Sequence, residues 1–303
     1  MKARRLIIPA LLLLAACQRM EQESPVLSTG NSIRTLTIQA FKGNTQTKSL
    51  LLTNGDYLDA YWSGSEEVEV FKAGSLLGNL DVTPETGDKP TSAYLSGDIS
   101  VSGLDKDDEL TLLLPRKDWN YSGQTGTLTG KGSIEDTYAY AKATVAITNV
   151  DESSVNTTSA SFENQQSIYR FAFTSGDALS VKGLFISSAN GNLVVSRAFD
   201  AGNWTSQYGA LEVTPASATS EALYVALRNE TVSTTLVDEE TVLDTYHFVL
   251  TASNDALYLA SKGIPAYVLD TPGKFISAMS IEATQPDFSP MASGSIDNPT
   301  LIF

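Results

Sequence analysis

One cysteine and one histidine are all that this 303-residue chain offers of the two side chains most used for nucleophilic, acid–base and metal chemistry. The cysteine, Cys17, stands directly behind Leu14-Ala15-Ala16. Ahead of it come Lys2, Arg4 and Arg5, then an apolar run from Leu6 to Leu14. A basic start, an apolar middle and a small-residue exit make an export leader, and a cysteine at the exit is the pattern of a bacterial lipoprotein signal. The chemistry this predicts is acylation. Cleavage between Ala16 and Cys17 leaves Cys17 as the new N-terminus, carrying lipid. Acyl chains contribute about 0.8 kcal/mol per buried CH₂, so several on one residue hold a folded cargo firmly on a membrane. A spanning helix would need about 20 apolar residues, and this run is shorter and interrupted by Pro9.

Elsewhere the chain has little with which to seat catalysis. It contains no Gly-x-Ser-x-Gly elbow, phosphate loop or His-Glu-x-x-His zinc motif. His247 lies in Tyr246-His247-Phe248-Val249-Leu250, where alternation sends it to the face opposite Tyr246, Phe248 and Leu250. An imidazole there, with no second ligand nearby, reads as an outward strand residue. Paired carboxylates suffice for glycoside hydrolysis; acidic residues are abundant, and no pattern singles out a pair. Asp105-Lys106-Asp107-Asp108-Glu109 lacks the spaced ligands and central glycine of a calcium loop and reads as a solvated turn, as does Asp238-Glu239-Glu240. Asn120, Asn156, Asn203 and Asn229 each open an Asn-x-Ser/Thr triplet, and behind a bacterial leader they read as ordinary turn residues. Trp62, Trp119 and Trp204 read as buried aromatic anchors before they read as a sugar platform. The chain is therefore expected to be non-enzymatic, with no cofactor and no metal.

Stepping from side chains to the segments that must hold them, charge sets the first bound. Loss of the leader's Lys2, Arg4 and Arg5 takes the formal net charge from -15 to -18. Nucleic acid is excluded as a partner, because phosphate contacts need clustered Lys and Arg. With Cys17 lipidated, no cysteine remains for a disulfide, so stability must come from burial, for which 42% hydrophobic residues is ample. Residues 17–32, rich in Glu, Gln, Ser and Thr, have the composition of a tether. From Ile33 onward the pattern is strand after strand. Leu36, Ile38 and Ala40 alternate with Thr35, Thr37 and Gln39; Val68 and Val70 alternate with Glu67 and Glu69; Leu110, Leu112 and Leu114 follow. The second half continues with Tyr169, Phe171 and Phe173, Val181 to Ile186, Leu223 to Leu227, Tyr246 to Leu250 and Phe275 to Ile281. A period of two with Gly, Asn and Asp at the breaks predicts an all-β fold of sandwiches or barrels. The Ser-, Thr- and Asn-rich stretch from Asp151 to Ala160 is the expected boundary. The organisation predicted is a signal peptide at 1–16, a tether at 17–32, and two tandem β-sandwich domains at 33–158 and 159–303, the latter ending in a tail, 285–303.

The segment Tyr61-Trp62-Ser63-Gly64-Ser65-Glu66-Glu67-Val68-Glu69-Val70-Phe71 resembles the Trp-Ser-x-Gly-Asp-x-Ile-x-Val-Phe signature of fimbrillin-like lipoproteins of Bacteroidales, departing from it around Ser65. Tyr94-Leu95-Ser96-Gly97, Leu112-Leu113-Leu114-Pro115 and Gly126-Thr127-Leu128 follow in that family's order. So do Phe162-x-Asn164-x-x-Ser167-Ile168-x-Arg170-Phe171-x-Phe173, Val181-Lys182-Gly183-Leu184-x-Ile186 and Ala189-Asn190-Gly191. The resemblance spans about residues 50 to 285. It implies two transthyretin-like β-sandwich domains and a role as a shaft, tip, anchor or accessory subunit of a surface fimbria. The implied location is the cell outer membrane, lipid-anchored and surface-exposed, with release into the fimbria. The implied partners are other fimbrial subunits, the membrane through lipid, and host or bacterial surface ligands. The alternative is a monomeric lipid-anchored adhesin or glycan-binding lipoprotein.

The resemblance also implies an assembly route, in which a trypsin-like protease removes the first strand and a neighbour's C-terminal strand fills the groove. A sandwich missing a strand exposes apolar surface and unpaired backbone groups that a donated strand satisfies. The first alternating segment, Arg34 to Phe41, is the candidate plug. Cleavage behind it has to use Lys42 or Lys48, since no arginine follows until Arg116. At the other end, Thr300, Leu301, Ile302 and Phe303 close the tail and fit two roles: a donor strand, or a final strand packed on the chain's own domain.

Overall fold

The computed structural model describes residues 33–42, 50–54, 57–176, 178–230, 241–265, 273 and 275–286. Among the described residues there are twenty strands and one helical turn, so the fold is all-β as the alternation predicts. In the first half they are β1 (Ile33–Lys42), β2 (Leu50–Asn54), β3 (Tyr57–Tyr61), β4 (Glu67–Lys72), β5 (Ser75–Pro84), β6 (Ser92–Ser100), β7 (Glu109–Leu114), β8 (Asp118–Asn120), β9 (Ala141–Val150), β10 (Ser154–Thr157) and β11 (Ala160–Asn164).

Eight of these make one sheet in the order β10-β1-β11-β9-β7-β4-β5-β6, and β1 also pairs with β6. Hydrogen bonding therefore runs round a closed circuit, and full closure leaves no open sheet edge. Inside lie Leu36, Ile38, Val68, Val70, Leu95, Leu110, Leu112, Val145 and Phe162, all within 2% of complete burial. These are the inward members of the alternating segments.

The second half contributes β12 (Ser167–Thr174), β13 (Val181–Ser188), β14 (Val194–Asp200), β15 (Asn203–Tyr208), β16 (Leu211–Val213), β17 (Leu223–Leu227), β18 (Val242–Ala252), β19 (Leu257–Pro265) and β20 (Phe275–Glu282). They form sheets ordered β17-β12-β20, β16-β13-β18-β19 and β15-β14-β8. Around them is a second core in which Tyr169, Phe171, Tyr246 and Phe248 pack ring against ring.

The two cores do not divide the chain at 158/159. β11 stays in the first sheet, where the Phe162 ring meets Trp62 edge-on at 5.6 Å, so the first sheet runs on to Asn164. In the opposite sense, β8 leaves the first half to pair with β14, and Trp119, Tyr121, Ile134, Tyr138 and Tyr140 all belong to the second core. The physical reason is aromatic burial: Trp119 lies between Tyr140 at 5.2 Å and Trp204 at 4.1 Å and is 1% exposed there. Strands β4 and β7 serve both cores, with Val68, Val70, Leu110, Leu112 and Leu114 facing the first and Phe71 and Leu113 the second. The unbroken run Leu112-Leu113-Leu114 is what a strand covered on both faces requires.

Candidate functional site at the first strand

Strand β1 is seated on both edges. Along one it pairs antiparallel with β6 through nine positions, from Ile33 opposite Ser100 to Phe41 opposite Ser92. Along the other it runs parallel, first to β10 at Thr35 and Leu36, then to β11 at Ala40 to Lys42. Leu36, Ile38 and Ala40 point inward and are at most 2% exposed. Fully burying a Leu or Ile side chain contributes about 1.5–3 kcal/mol each. On the outer face polar rungs hold the register: Thr35 donates to Asp98 at 3.0 Å, the Thr37 and Ser96 hydroxyls meet at 3.1 Å, and the Gln39 amide donates to Glu85 at 3.4 Å. The Arg34 guanidinium donates to the Asp151 carbonyl.

At the end of β1, Lys42 continues the inward parity of Leu36, Ile38 and Ala40, so its side chain enters the core and is 0% exposed. A buried ammonium must find compensation for lost hydration. It donates to the Tyr61 carbonyl at 2.7 Å and to Glu66 Oε1 at 3.0 Å, and lies over the Trp62 ring 3.8 Å from its centroid. Glu66 does more than neutralise it. The same carboxylate accepts the backbone N–H groups of Ser63, at 2.9 Å, and Gly64, at 2.7 Å. Gly64 has φ +82°, which favours glycine, so the Trp62-Ser63-Gly64-Ser65 part of the motif is a tight loop closed by Glu66. The Ser63-x-x-Glu66 spacing, which resembles a helix capping box, is the sequence signal for this closure. The pairing of Glu66 with a residue at the end of β1 was not readable from it.

Beside this loop opens a cleft of about 720 Å³, lined by Glu66, Glu67, Glu69, Glu135 and Asp136 with Arg116 facing them. Its carboxylates close turns. Glu69 accepts the Lys117 N–H at 2.6 Å, and Asp136 accepts the Gly132 N–H at 2.8 Å, next to the Ser133 hydroxyl that caps the helical turn Ile134–Tyr138. Burial pushes the Glu69 carboxyl above its ordinary value, with the Lys117 amide pulling against it. Burial also raises Glu135, helped by its neighbours Asp136 and Glu66. Among the described residues no three His, Cys, Asp or Glu converge as a metal site.

Of the residues singled out in the sequence, Lys42 alone among the processing and attachment candidates is described. Ala16, Cys17, Lys48, Thr300, Leu301, Ile302 and Phe303 lie outside the described residues. His247 faces outward on β18, between Ser187 and Ser261 of the flanking strands. Trp62 and Trp119 are buried anchors. Asp108 in the acidic turn pairs with Lys72 at 2.5 Å, whose hydrogen bond holds its carboxyl below the usual range. Asn120 accepts the Ser122 N–H in a local turn, whereas Asn229 reaches Asp244 and the Tyr246 hydroxyl.

Comparison with known proteins turns up no matching family model and no matching curated protein. Solved structures do match over most of their length. A Bacteroides ovatus protein assigned to cell adhesion is 11% identical with a TM-score of 0.40, covering 84% of this chain and 97% of its own. A fimbrial assembly protein from Parabacteroides distasonis is 9% identical with a TM-score of 0.37, covering 85% and 93%. The tip fimbrial protein Mfa3 from Porphyromonas gingivalis, truncated at its C-terminus, is 10% identical with a TM-score of 0.34, covering 84% and 99%. All three are proteins of Bacteroidales.

Proposed function

We propose that this chain is a fimbrillin-like surface protein, a structural subunit or accessory component of a fimbria that assembles by strand exchange and mediates adhesion. In this reading it is non-enzymatic, built as two tandem transthyretin-like sandwiches, delivered to the outer membrane on a lipidated Cys17, and released into the fimbria when β1 is cut away. The observation that carries it is the seat of β1, the strand through which the first sheet's circuit closes. Its removal would open a groove between β6 on one side and β10 and β11 on the other, vacate the positions of Leu36, Ile38 and Ala40, and leave two rows of backbone donors and acceptors unmatched. An extended segment of alternating side chains is the one kind of ligand that such a groove fits. The tail ending Thr300-Leu301-Ile302-Phe303 supplies an apolar segment of that kind.

The test is the state of the protein on cells and after digestion. Material recovered from the cell surface should begin at Cys17 where it is precursor or anchor, and at Gly43 or Ser49 where cleavage has followed Lys42 or Lys48. Protease treatment of the purified protein should yield ladders on gels. Intact monomers that keep β1 after such treatment would reject the strand-exchange role in favour of the non-polymerising adhesin.

A further inference from the structure

We propose that Lys42, Glu66 and Trp62 form a clasp that makes the Lys42–Gly43 bond refractory to proteolysis and retains β1 after the chain is cut further on. This rests on the strand-exchange reading and specifies how release of the strand is controlled.

The geometry constrains Lys42 on both its side chain and its backbone. A trypsin-like protease must draw its substrate out as an extended segment and place the lysine side chain in a specificity pocket. In the folded protein the Lys42 side chain is already enclosed, its ammonium divided between Glu66, the Tyr61 carbonyl and the Trp62 face. Its backbone is held too, the N–H donating to the Thr91 carbonyl at 3.0 Å and the residue standing in register with Phe162. Engaging Lys42 would mean extracting a paired charge together with the end of a strand. Lys48 lies six positions further on in the sequence and is not one of the three clasp residues; hydrolysis there adds one water across Lys48–Ser49, leaving a carboxylate and an ammonium.

Once the chain is cut, β1 is held by three small-to-medium apolar side chains, its ladders and the clasp. Removing one partner of a buried ion pair leaves the other charge buried and unpaired and is strongly destabilising, while replacing both with uncharged residues is often neutral. A clasp that loses one of its two charges therefore loosens the strand, and it does so at the end nearest the cut. Because Glu66 also accepts from Ser63 and Gly64, anything that reshapes that loop at the cleft edge loosens β1.

The test uses purified full-length protein and a lysine-specific protease, with fragment masses and native size-exclusion as readouts. The wild type should give a body fragment starting at Ser49 and none at Gly43, with the N-terminal piece co-eluting. Glu66→Gln should release that piece at least ~10-fold faster and expose the Lys42–Gly43 bond, whereas Lys42→Met/Glu66→Gln, which buries no unpaired charge, should restore retention. Cleavage of the wild type after Lys42 as fast as after Lys48 would overturn the proposal, as would wild-type retention in a folded Glu66→Gln. Should Glu66→Gln not fold, wild-type cleavage and the double variant carry the test. Polymer ladders are scored separately. Clasp-dependent retention without ladders rejects strand exchange and keeps the clasp; ladders forming equally fast in wild type and Glu66→Gln reject the clasp and keep strand exchange.

Discussion

At the scale of single residues, the cleft carboxylates carry a pH dependence whose sign follows from burial. Glu69 binds its proton more tightly folded than unfolded, because desolvation lifts it above the ordinary 4.5. Between 4.5 and that raised value the folded state holds more protons, so stability falls as pH rises through this window and is level above it. Glu135 acts in the same direction. Glu69→Gln removes the charge while keeping an oxygen to accept the Lys117 N–H. Urea unfolding should show the variant more stable than wild type at neutral pH, with the gain shrinking on acidification below the ordinary carboxylate range. An equal shift at both pH values, or a loss at neutral pH, would mean that the burial effect is outweighed by the amide. The same scale separates what was readable from what was not. His247, Trp62 and Trp119 lie where alternation and aromatic size put them. Lys42 was half-readable: its even-numbered parity with Leu36, Ile38 and Ala40 assigns it to the inner face, while its charge argues for solvent, and the deciding partner, Glu66, is 24 positions away. Parity won because a carboxylate, a carbonyl and an indole face were waiting on that side.

At the scale of elements, the strand that opens the sheet is also the strand that closes it, and its loss should be felt by neighbours far off in sequence. Leu36 is completely buried and pairs across to Gly97 on β6 and Val155 on β10. Leu36→Ala removes its contacts and leaves a cavity, at a cost of about 2–5 kcal/mol. Hydrogen exchange should speed up in β1, β6 and β10 together, leaving β13 and β18 near their original protection. Acceleration confined to β1 would show that the circuit is not cooperative. Strand positions were legible because half-buried strands print their period of two. The run Leu112-Leu113-Leu114 was legible as a strand without revealing that its outer face, through Leu113, belongs to a second core. What covers a face comes from chain hundreds of atoms away, and local periodicity records only that the face is covered.

At the scale of the whole molecule, the two cores share chain from both sides of the expected boundary, and this sharing carries a prediction. Pro115 to Tyr140 reads as a further piece of the first half, yet it lends β8, Trp119, Tyr121, Ile134, Tyr138 and Tyr140 to the second core before the chain returns to β9. The loan is bound by polar links as well. The buried Gln124 side chain donates to Ala226 and accepts from its N–H at 2.7 and 2.8 Å, and the Tyr224 N–H donates to the Gly126 carbonyl. Two hairpin tips also meet, with Ala73-Gly74 against Ala201-Gly202 so closely that a Cβ on Gly74 would fall 2.1 Å from the Gly202 nitrogen. A second half expressed from residue 165 onward would therefore lack a strand, five large core side chains and the Gln124 and Gly126 partners of β17's backbone at Ala226 and Tyr224. Each of the four deleted aromatics costs about 3–5 kcal/mol and Ile134 about 2–5, a loss at or above the 5–15 kcal/mol that stabilises a typical domain. The fragment 165–303 should be insoluble or unfolded by itself and should recover native near-ultraviolet circular dichroism when co-expressed with 31–164. A fragment 165–303 that folds unaided would mean that the aromatic segment decorates the second core instead of completing it. The outcome bears on assembly, because β4 and β7 face both cores, so a second half that needs the aromatic segment to fold also needs the first half that presents it.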